Sequence, residues 1–415
     1  MRGMVRLPAV SALLLCAWTG ATVVAQVPAA QPMSAFLPGQ HGSTATEASA
    51  CDGRAGRLLE VGPGRLYRNV RDAAAAAVSG DTVLIDAGDY LGDVAVWPQD
   101  RLAICGRGGK VRLIANGRHA GGKGIWVIQG AEVVVDGIEF HGAAVPDANG
   151  AGIRAEGRGL TLRRCGFYDN ENGVLGPNAG HLTVWRSVFG RNGHGDGYSH
   201  NLYVGTAERL SVAESYFHEA RIGHHLKSRA RVNLIETSYF MDGRDGTASY
   251  QVDLPNGGVA VLRGNLMHKG PRADNRAMLS FGKEGMAAGA RHALTLVHNT
   301  LVSTYPGGTY LQFGKGEVAV SVSRNLFGGI GRFARTPGDG LADMAALDNR
   351  FLAATDFPGA DDLATPDFWP RDADRLTAPA LRTPADPAYT AEAPRPLHLR
   401  RIDAVRLPGA LQSRP

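Results

Sequence analysis

The residues best suited to chemistry are concentrated in residues 197–231, GYSHNLYVGTAERLSVAESYFHEARIGHHLKSRAR. Two short segments in it, 200–204 and 224–229, alternate apolar with polar residues, which is the period of a β-strand. A third strand-like run around Leu210 lies between them. Because this order of segments recurs along the chain, we interpret the stretch as two turns of a repeat. Acidic, basic and hydrogen-bonding side chains are densest here.

One strand in each repeat follows the longest loop, and these strands can be aligned on their inward apolar residues. The alignment uses Leu202, Leu226, Val252, Leu279 and Leu311. It predicts one outward column of Asn201, His225, Gln251 and Met278, and a second outward column of Tyr203, Lys227, Asp253, Ser280 and Gln312. Parallel strands stack about 4.8 Å apart, so Lys227 is expected to lie between Tyr203 and Asp253.

This mixture of groups suits β-elimination on a uronate-containing polysaccharide. The reaction needs a cation for the carboxylate, a base for the C5 proton and an acid for the departing glycosidic oxygen. A lysine crowded by cations can act as a base. We expect Lys227 to be the base, Tyr203 or His225 the acid, and Arg229 the ligand of the carboxylate. A basic margin and further substrate contacts are expected from Asn201, Gln251, Asp253, Arg231, His268, Lys269, Arg272, Lys283 and Lys315.

Each of these assignments has a simpler alternative. Asp253 beside Lys227 can be an ion pair that keeps the lysine protonated and unfit as a base. His200 and His224 fall on the inward side of the alternation, which favours hydrogen-bonded core histidines over ligands. Outward Tyr, Asn and Gln residues on a sheet are also common where they have no function.

The secondary-structure elements that position these residues can be inferred from a sequence repeat with a measurable spacing. In each repeat a small or polar residue stands two places before an aromatic or aliphatic one, at intervals of 22 to 34 residues. These positions are Asp136, Cys165, Ser187, Ser215, Ser238, Asn265, Asn299, Asn325 and Asn349. A minimum near 22 residues with variable insertions fits one coil of a parallel β-helix. The four asparagines predict an internal ladder of stacked amides.

A family resemblance adds to this interpretation. The opening VGPGRLYRNVRDAAAAAVSGDTVLIDAGDY, the CGRGG at Cys105–Gly109 and the Asn-Leu-Phe type repeats resemble the right-handed parallel β-helix proteins of the pectate-lyase-like superfamily. The resemblance covers about residues 57–355 and implies an all-β fold. Lyases, hydrolases, epimerases and adhesive spikes share this scaffold, so it implies no single reaction. The paired aspartates of polygalacturonases, the Asp-Pro-His-Asp run of alginate epimerases and the arginine-proline motif of pectate lyases are missing.

The ends of the chain differ from the repeat. Residues 1–25 have the pattern of a cleavable export signal, and residues 26–56 are predicted to be a flexible lead-in. A helix over Tyr67–Val78 is expected to cap the first coil, because an open end would expose core side chains. Residues 57–355 form the predicted β-helix domain, and the Pro- and Ala-rich residues 356–415 an irregular tail packed over its last coils. We therefore expect a secreted or periplasmic protein.

Charge and cysteine content narrow the possible partners. Removal of residues 1–25 takes away two arginines and reduces the net charge from +5 to +3, which is no signature of nucleic-acid binding. No later segment is apolar enough to span a membrane, and a monomer is expected. Export makes a disulfide between Cys51 and Cys105 plausible, while Cys165 is expected to be a buried thiol.

No cofactor is predicted to be required. Asp242, Asp245 and Asp253 could bind Ca²⁺ through oxygen, but no loop has a dedicated calcium spacing, and no metal site is predicted.

Three classes of function remain open. The leading hypothesis is an exported enzyme acting on an acidic polysaccharide, with a lyase ahead of a C5-epimerase. The second is a non-catalytic glycan-binding or envelope-assembly β-helix, in which the same groove lacks a tuned base. A glycoside hydrolase is the weakest, because it needs two carboxylates flanking the bond and Asp253 has no carboxylate partner in its own column.

Overall fold

The structure, a computed structural model, describes residues 48–335, 344–376, 388–392, 398–402 and 408–411. The chain winds through about ten turns of a parallel solenoid. Each complete coil contributes one strand to each of three sheets, called here the first, second and third sheets in the order in which a coil enters them. The predicted all-β, right-handed parallel β-helix is confirmed.

The strand bounds define the three sheets, and four long strands bend from one sheet into the next. The first sheet contains Ala95–Trp97, Gly124–Ile128, Ala151–Ala155, Asn172–Leu175, Leu202–Val204, His224–Ser228, Tyr250–Leu254, Ala277–Phe281 and the later parts of Thr300–Phe313 and Leu326–Arg335. The second contains Leu58–Val61, the earlier parts of Thr82–Leu91 and Ala103–Ile114, then Val133–Asp136, Leu160–Arg163, His181–Trp185, Arg209–Ala213, Val232–Glu236, Val259–Arg263, Ala293–Val297, Ala319–Ser323 and Met344–Leu347. The third contains the later parts of Thr82–Leu91 and Ala103–Ile114, then Ile138–His141, Gly166–Tyr168, Val188–Gly190, Tyr216–His218, Tyr239–Met241, Leu266–Lys269, the earlier parts of Thr300–Phe313 and Leu326–Arg335, and Arg350–Leu352.

The core is the space enclosed by the three sheets, and inward side chains of successive coils stack along it. Five phenylalanines of the third sheet form a continuous column with neighbouring ring centroids 4.6–5.2 Å apart. They are Phe140, Phe167, Phe189, Phe217 and Phe240, all fully buried. Offset stacking of buried rings adds to the stabilisation from burial alone, so this column helps to fix the register between coils.

The small polar residues of the repeat form the predicted ladder. The Asn265 side-chain amide donates to Asn299 Oδ1 at 2.9 Å, Asn299 donates to Asn325 Oδ1 at 3.0 Å, and Asn325 donates to Asn349 Oδ1 at 3.0 Å. Earlier coils use serine, whose Oγ accepts the backbone N–H of the preceding coil, as in the 3.2 Å bond from Ser187 to Ser215. The predicted ladder of four asparagines is confirmed.

One α-helix, Val70–Ala76, lies near the start of the described chain. Asn69 caps it by accepting the Asp72 N–H at 2.8 Å, and the Asp93 carboxylate accepts the N–H groups of Val70 and Arg71. Its buried residues join the main core. The helix is shorter than the predicted Tyr67–Val78 because Ala77 is already extended. Its capping role stays a prediction.

The pairing of the cysteines agrees with the prediction from the sequence. Cys51 and Cys105 form a disulfide with their Cα atoms 6.2 Å apart, which ties the segment before the first strand to the second sheet. Cys165 is a buried free thiol, and burial raises its pKa to about 12. The predicted signal sequence, residues 1–25, lies outside the described residues, as does most of the lead-in. None of the helices in the described part of the chain is long and apolar enough to cross a membrane.

The chain after the last coil covers the outer face of the third sheet. Apolar residues from this segment pack in one cluster with outward residues of five third-sheet strands, and the Tyr216 hydroxyl donates to the Leu363 carbonyl at 2.9 Å. The segment contributes Phe357, Ala360, Phe368, Leu376, Ala410 and Leu411, and the sheet contributes Tyr216, Tyr239, Met241, Leu266, Val302 and Leu326. A short 3₁₀ turn, Ala354–Asp356, lies at the boundary of the region predicted to be irregular. That region also contains a 3₁₀ turn at Ala373–Leu376 and an antiparallel pair, Ala388–Glu392 with His398–Ile402.

The ladder generates the first prediction. Asn299 accepts from Asn265 and donates to Asn325 and to the Leu262 carbonyl at 2.8 Å, all without solvent contact. Asn299→Ala leaves these partners unsatisfied, so the free energy of unfolding should fall by roughly 3–5 kcal/mol. Urea unfolding measures the change. Asn149→Ala, in a surface loop, is the control and should change the free energy of unfolding by less than about 0.5 kcal/mol. Equal changes for the two variants would contradict a structural role of the ladder.

Candidate functional site

The candidate site lies on the outer face of the first sheet, where the predicted column forms. Strand pairing places Tyr203 opposite Lys227, Lys227 opposite Asp253, Asp253 opposite Ser280, and Ser280 opposite Gln312. The register therefore agrees with the alignment on inward leucines and valines. Lys227 lies between Tyr203 and Asp253 as expected, and its side chain is partly exposed.

Lys227 is held by two carboxylates. Its Nζ lies 2.7 Å from Glu284 Oε1 and 3.6 Å from Asp253 Oδ2. Glu284 comes from the loop that follows strand Ala277–Phe281, and its side chain is about half exposed. Both carboxylates therefore contact the Lys227 amine.

Arg229, two residues farther along the same strand edge, connects the remaining groups. Its Nε donates to the Tyr203 hydroxyl at 2.9 Å, and a terminal nitrogen donates to Asn256 Oδ1 at 2.6 Å. The other terminal nitrogen binds Glu284 Oε2. Partial burial would lower the pKa of Arg229, but the bonds to Glu284 and Tyr203 outweigh it and raise that pKa.

Glu284 thus occupies a carboxylate-binding site built from two cations. One of its oxygens binds Lys227 and the other binds Arg229. Burial would raise the pKa of Glu284, whereas the hydrogen bonds from Lys227 and Arg229 lower it below the ordinary value, so the group is ionised. Glu284 and Asn256 were not predicted, because both belong to turns after the strands and no periodicity places them.

Two histidines and a tyrosine border the site. His200 and His224 are buried, as predicted for core histidines, but His224 lies against the outward column and not on the inward side. The rings of His200 and His224 stack at 4.6 Å, and His224 meets the Tyr250 ring edge-on. His224 Nε2 lies 3.4 Å from Asp253 Oδ2, which places it against the outward column. These rings were left out of the predicted site because strict alternation placed them on the inward side.

His200 is a neutral imidazole with a fixed proton position. Burial, reinforced by the positive charges of His224, Lys227 and Arg229, holds its pKa well below the ordinary value. Its Nδ1 accepts the backbone N–H of His224 at 3.0 Å, so the ring proton must be on Nε2. His200 can therefore donate a hydrogen bond beside the site at neutral pH, but it is not a base there.

The predicted outward column of Asn201, His225, Gln251 and Met278 is wrong, because all four side chains are fully buried. Asn201 Nδ2 donates to His225 Nδ1 at 3.1 Å, and His225 Nε2 donates to Asp242 Oδ1 at 2.8 Å. The alternation breaks between His225 and Leu226, which both point inward. The proposed acid role of His225 and the substrate contacts of Asn201 and Gln251 are therefore excluded.

This interior chain is longer than the three residues. Amides of Asn170 and Asn192 donate along it at 2.9 and 2.8 Å toward Asn201, so every donor points toward Asp242. Burial would raise the pKa of Asp242, but Lys269 and the hydrogen bonds from His225 and the Gly270 N–H lower it. The chain ends on a buried carboxylate, and it links the segments that lead into strands Asn172–Leu175 and Leu202–Val204 with strand His224–Ser228.

Lys269 and His268 are also buried, so their predicted place in a basic margin is wrong. Lys269 Nζ donates to the carbonyls of Ala248 and Ser249 at 2.9 and 2.6 Å and lies 3.9 Å from Asp242 Oδ2. It thereby holds the loop that leads directly into strand Tyr250–Leu254. Burial lowers the pKa of Lys269 to about 8.

The remaining predicted substrate contacts are four cations that do not all lie beside the site. Lys283 and Lys315 are exposed in stacked turns after the first-sheet strands, beside Glu284 and in the next coil. Arg231 is exposed at the start of the second sheet, and Arg272 pairs with the exposed Asp245 at 3.0 Å. The structure brings Tyr203, Lys227, Arg229 and Asp253 together, and leaves these four cations around or away from them.

The three aspartates considered for Ca²⁺ do not converge. Asp242 is buried with His225, Asp245 pairs with Arg272, and Asp253 faces Lys227 and His224. Within the described ranges, no group of three His, Cys, Asp or Glu side chains is arranged to hold a metal ion.

Solved structures of other proteins have a similar fold. Pectate lyase Pel9A aligns with a TM-score of 0.55 and 13% identity, over 87% of this chain and 97% of its own. In fold, the chain is a pectate-lyase-like right-handed parallel β-helix. An alginate lyase from Paenibacillus sp. str. FPU-7 aligns with a TM-score of 0.49 and 14% identity, over 69% of this chain and 97% of its own. No family model and no curated protein matches the chain by sequence.

The burial of Lys269 generates the second prediction. Its pKa is about 8 in the folded protein and about 10.4 in an unfolded chain, so between these values only the unfolded chain binds the proton. The free energy of unfolding should rise with pH across this window, by roughly 3 kcal/mol in total. The quantity to measure is the difference in unfolding free energy between the wild type and Lys269→Met at several pH values.

Lys283→Met is the matched control, since Lys283 is exposed. Its difference from the wild type should not change with pH. A flat difference for Lys269→Met as well would show that Lys269 keeps its proton inside the fold.

Proposed function

We propose that the protein is an exported enzyme that cleaves an acidic, uronate-containing polysaccharide by β-elimination on the outer face of the first sheet. The observation that carries the proposal is the way in which Lys227 and Arg229 each bind one oxygen of the Glu284 carboxylate. A site that holds one carboxylate in this way is suited to hold another. Lys227, Arg229 and Tyr203 would contact the substrate.

The proposed chemistry follows from these contacts. Arg229 would take the uronate carboxylate, and the withdrawal of charge would make the C5 proton acidic. Lys227, as the neutral amine, would accept that proton. Tyr203 would protonate the departing glycosidic oxygen, and its bond with Arg229 Nε would stabilise the phenolate that remains. His225, the alternative acid, is buried and takes no part.

The contacts of Lys227 set a condition on this role. Asp253 and Glu284 both contact the Lys227 amine, so a bound substrate must displace at least one of them before the amine can reach the C5 proton. Departure of Glu284 when a substrate carboxylate arrives would remove the closer of the two carboxylates.

A hydrolase must be reconsidered, because the objection that Asp253 has no carboxylate partner no longer holds. Glu284 and Asp253 both contact Lys227. A hydrolase, however, needs one of its two carboxyl groups protonated as an acid. Lys227 lies between the two groups, and the pKa of Glu284 is lowered, which does not suit that task. A non-catalytic glycan-binding protein remains the alternative that experiment must separate.

The wider setting of the proposal includes the place and the partners of the enzyme. Pel9A, which is named a pectate lyase, has the same fold. Export rests on the sequence pattern of residues 1–25. A soluble monomer without a bound cofactor, acting on polysaccharide and not on nucleic acid, is part of the proposal.

The third prediction concerns Lys227. Lys227→Ala removes the proposed proton acceptor but no core contact, so kcat on an acidic polysaccharide should fall about 10²–10⁴-fold with little change in melting temperature. The assay is the ultraviolet absorbance of the unsaturated product, screened over alginate, pectate, glucuronan and glycosaminoglycans. Arg229→Ala should raise KM as well as lower kcat, because carboxylate binding acts in the ground state too.

Lys110→Ala is the matched control, because Lys110 is an exposed lysine paired with Glu139 far from the site and its loss should leave activity unchanged. Full activity of Lys227→Ala with reduced stability would instead make Lys227 a structural ion-pair partner. Binding without any unsaturated product from the wild type would favour the glycan-binding alternative.

The fourth prediction concerns Glu284. If its carboxylate occupies the place of the substrate's, Glu284→Gln should tighten binding of an acidic oligosaccharide, by roughly 2–10-fold for a partly exposed pair. Calorimetric titration measures it. Glu317→Gln, at an exposed glutamate in the next turn, should change nothing. Weaker binding by Glu284→Gln would mean that Glu284 only orients the two cations.

A further inference from the structure

The geometry points to a substrate whose C5–H and C4–O bonds lie on the same face of the sugar ring, as in 1,4-linked D-mannuronate or D-glucuronate. This inference rests on the proposed function and adds the stereochemical class of the substrate. D-Galacturonate and L-guluronate, in which the two bonds lie on opposite faces, are the class that it excludes.

The first step is that the proposed base and acid belong to one surface. Tyr203 and Lys227 are opposite one another in adjacent parallel strands and occupy the same outward position of the coil. Neighbouring strands of a sheet lie about 4.8 Å apart, so the two side chains start as close neighbours.

The second step is that Arg229 joins the reactive ends of both side chains. Its Nε binds the Tyr203 hydroxyl at 2.9 Å, and it shares the Glu284 carboxylate with the Lys227 amine, which lies 2.7 Å from Glu284 Oε1. The phenol and the amine therefore lie on either side of one guanidinium–carboxylate pair, and neither is turned away from the site. A sugar carboxylate in the place of Glu284 would bring its own C5 next to both.

The third step concerns the sugar. A polysaccharide laid along a flat sheet presents one face of each ring to it, so groups of the sheet reach only that face. A base and an acid that both rise from the sheet can assist elimination together only where H5 and O4 point to the same side. An opposite-face substrate would leave Tyr203 without contact to the leaving oxygen.

The reaction balances without any further reactant. The neutral Lys227 amine takes H5, and the electron pair of the C5–H bond becomes the C4–C5 double bond. The C4–O4 bond breaks, and its electron pair stays on O4, which takes the phenolic proton of Tyr203. The Lys227 ammonium and the Tyr203 phenolate then return to their starting forms by proton transfer through solvent. The products are a shortened chain and an unsaturated uronate end.

The test compares four purified polymers: polymannuronate and glucuronan on one side, polyguluronate and polygalacturonate on the other. The wild type should produce the unsaturated end from at least one same-face polymer with kcat/KM at least about 100-fold higher than from either opposite-face polymer, because general acid catalysis contributes 10²–10⁴-fold. Tyr203→Phe should lose about 10²–10³-fold of kcat on the same-face polymer.

Tyr67→Phe, near the N-terminal helix, is the matched control and should keep full activity. Preference for polyguluronate or polygalacturonate, or full activity of Tyr203→Phe on a same-face polymer, would overturn the inference while leaving the lyase proposal intact. Binding of the polymers without any unsaturated product would overturn both. The polymer comparison uses the wild type alone, so it does not depend on the folding of a variant.

Discussion

The register between coils is the constraint on which the rest of the structure depends. Each coil meets the next only through parallel backbone pairing and through the side chains that stack inside it, so a slip of one residue would turn the inward set outward. The ladder from Cys165 to Asn349 opposes such a slip, because each buried amide or hydroxyl has its partner at one height only. The phenylalanine column reinforces the same heights. Residues on the outer face are positioned by this register but do not stabilise it.

The site combines this rigid placement with balanced charge. Lys227 and Arg229 face Glu284 and Asp253, so two cations meet two anions and the cluster is close to neutral. An acidic polymer brings another negative charge, and the balance is kept only if an anion leaves. Glu284 is the one suited to leave, since it is half exposed and belongs to a turn, whereas Asp253 is buried and belongs to a strand. Arg229 then binds a carboxylate both in the resting protein and in the complex.

Much of this could be predicted from sequence, and the failures have a common cause. The column of Tyr203, Lys227 and Asp253 was found because the inward leucines and the asparagine ladder repeat regularly. His225 was placed outward and His224 inward because strict alternation was assumed, whereas His225 and Leu226 are successive residues of strand His224–Ser228 and are both buried inside the coil. Glu284 contacts partners 55 and 57 residues away through a loop insertion, and insertions carry no periodic signal.

The interior polar chain explains why the assumption failed at that point. An imidazole or amide at this position finds hydrogen-bond partners only from the coils on either side, so it must point inward for its burial to be tolerated. His225 meets this condition through Asn201 and Asp242, and Lys269 secures the loop into strand Tyr250–Leu254 from the same interior. His224 is consequently directed outward, toward Asp253. The inner chain thus decides which of two adjacent histidines borders the site, and a histidine pair at such a position has to be assigned by its partners and not by strand parity.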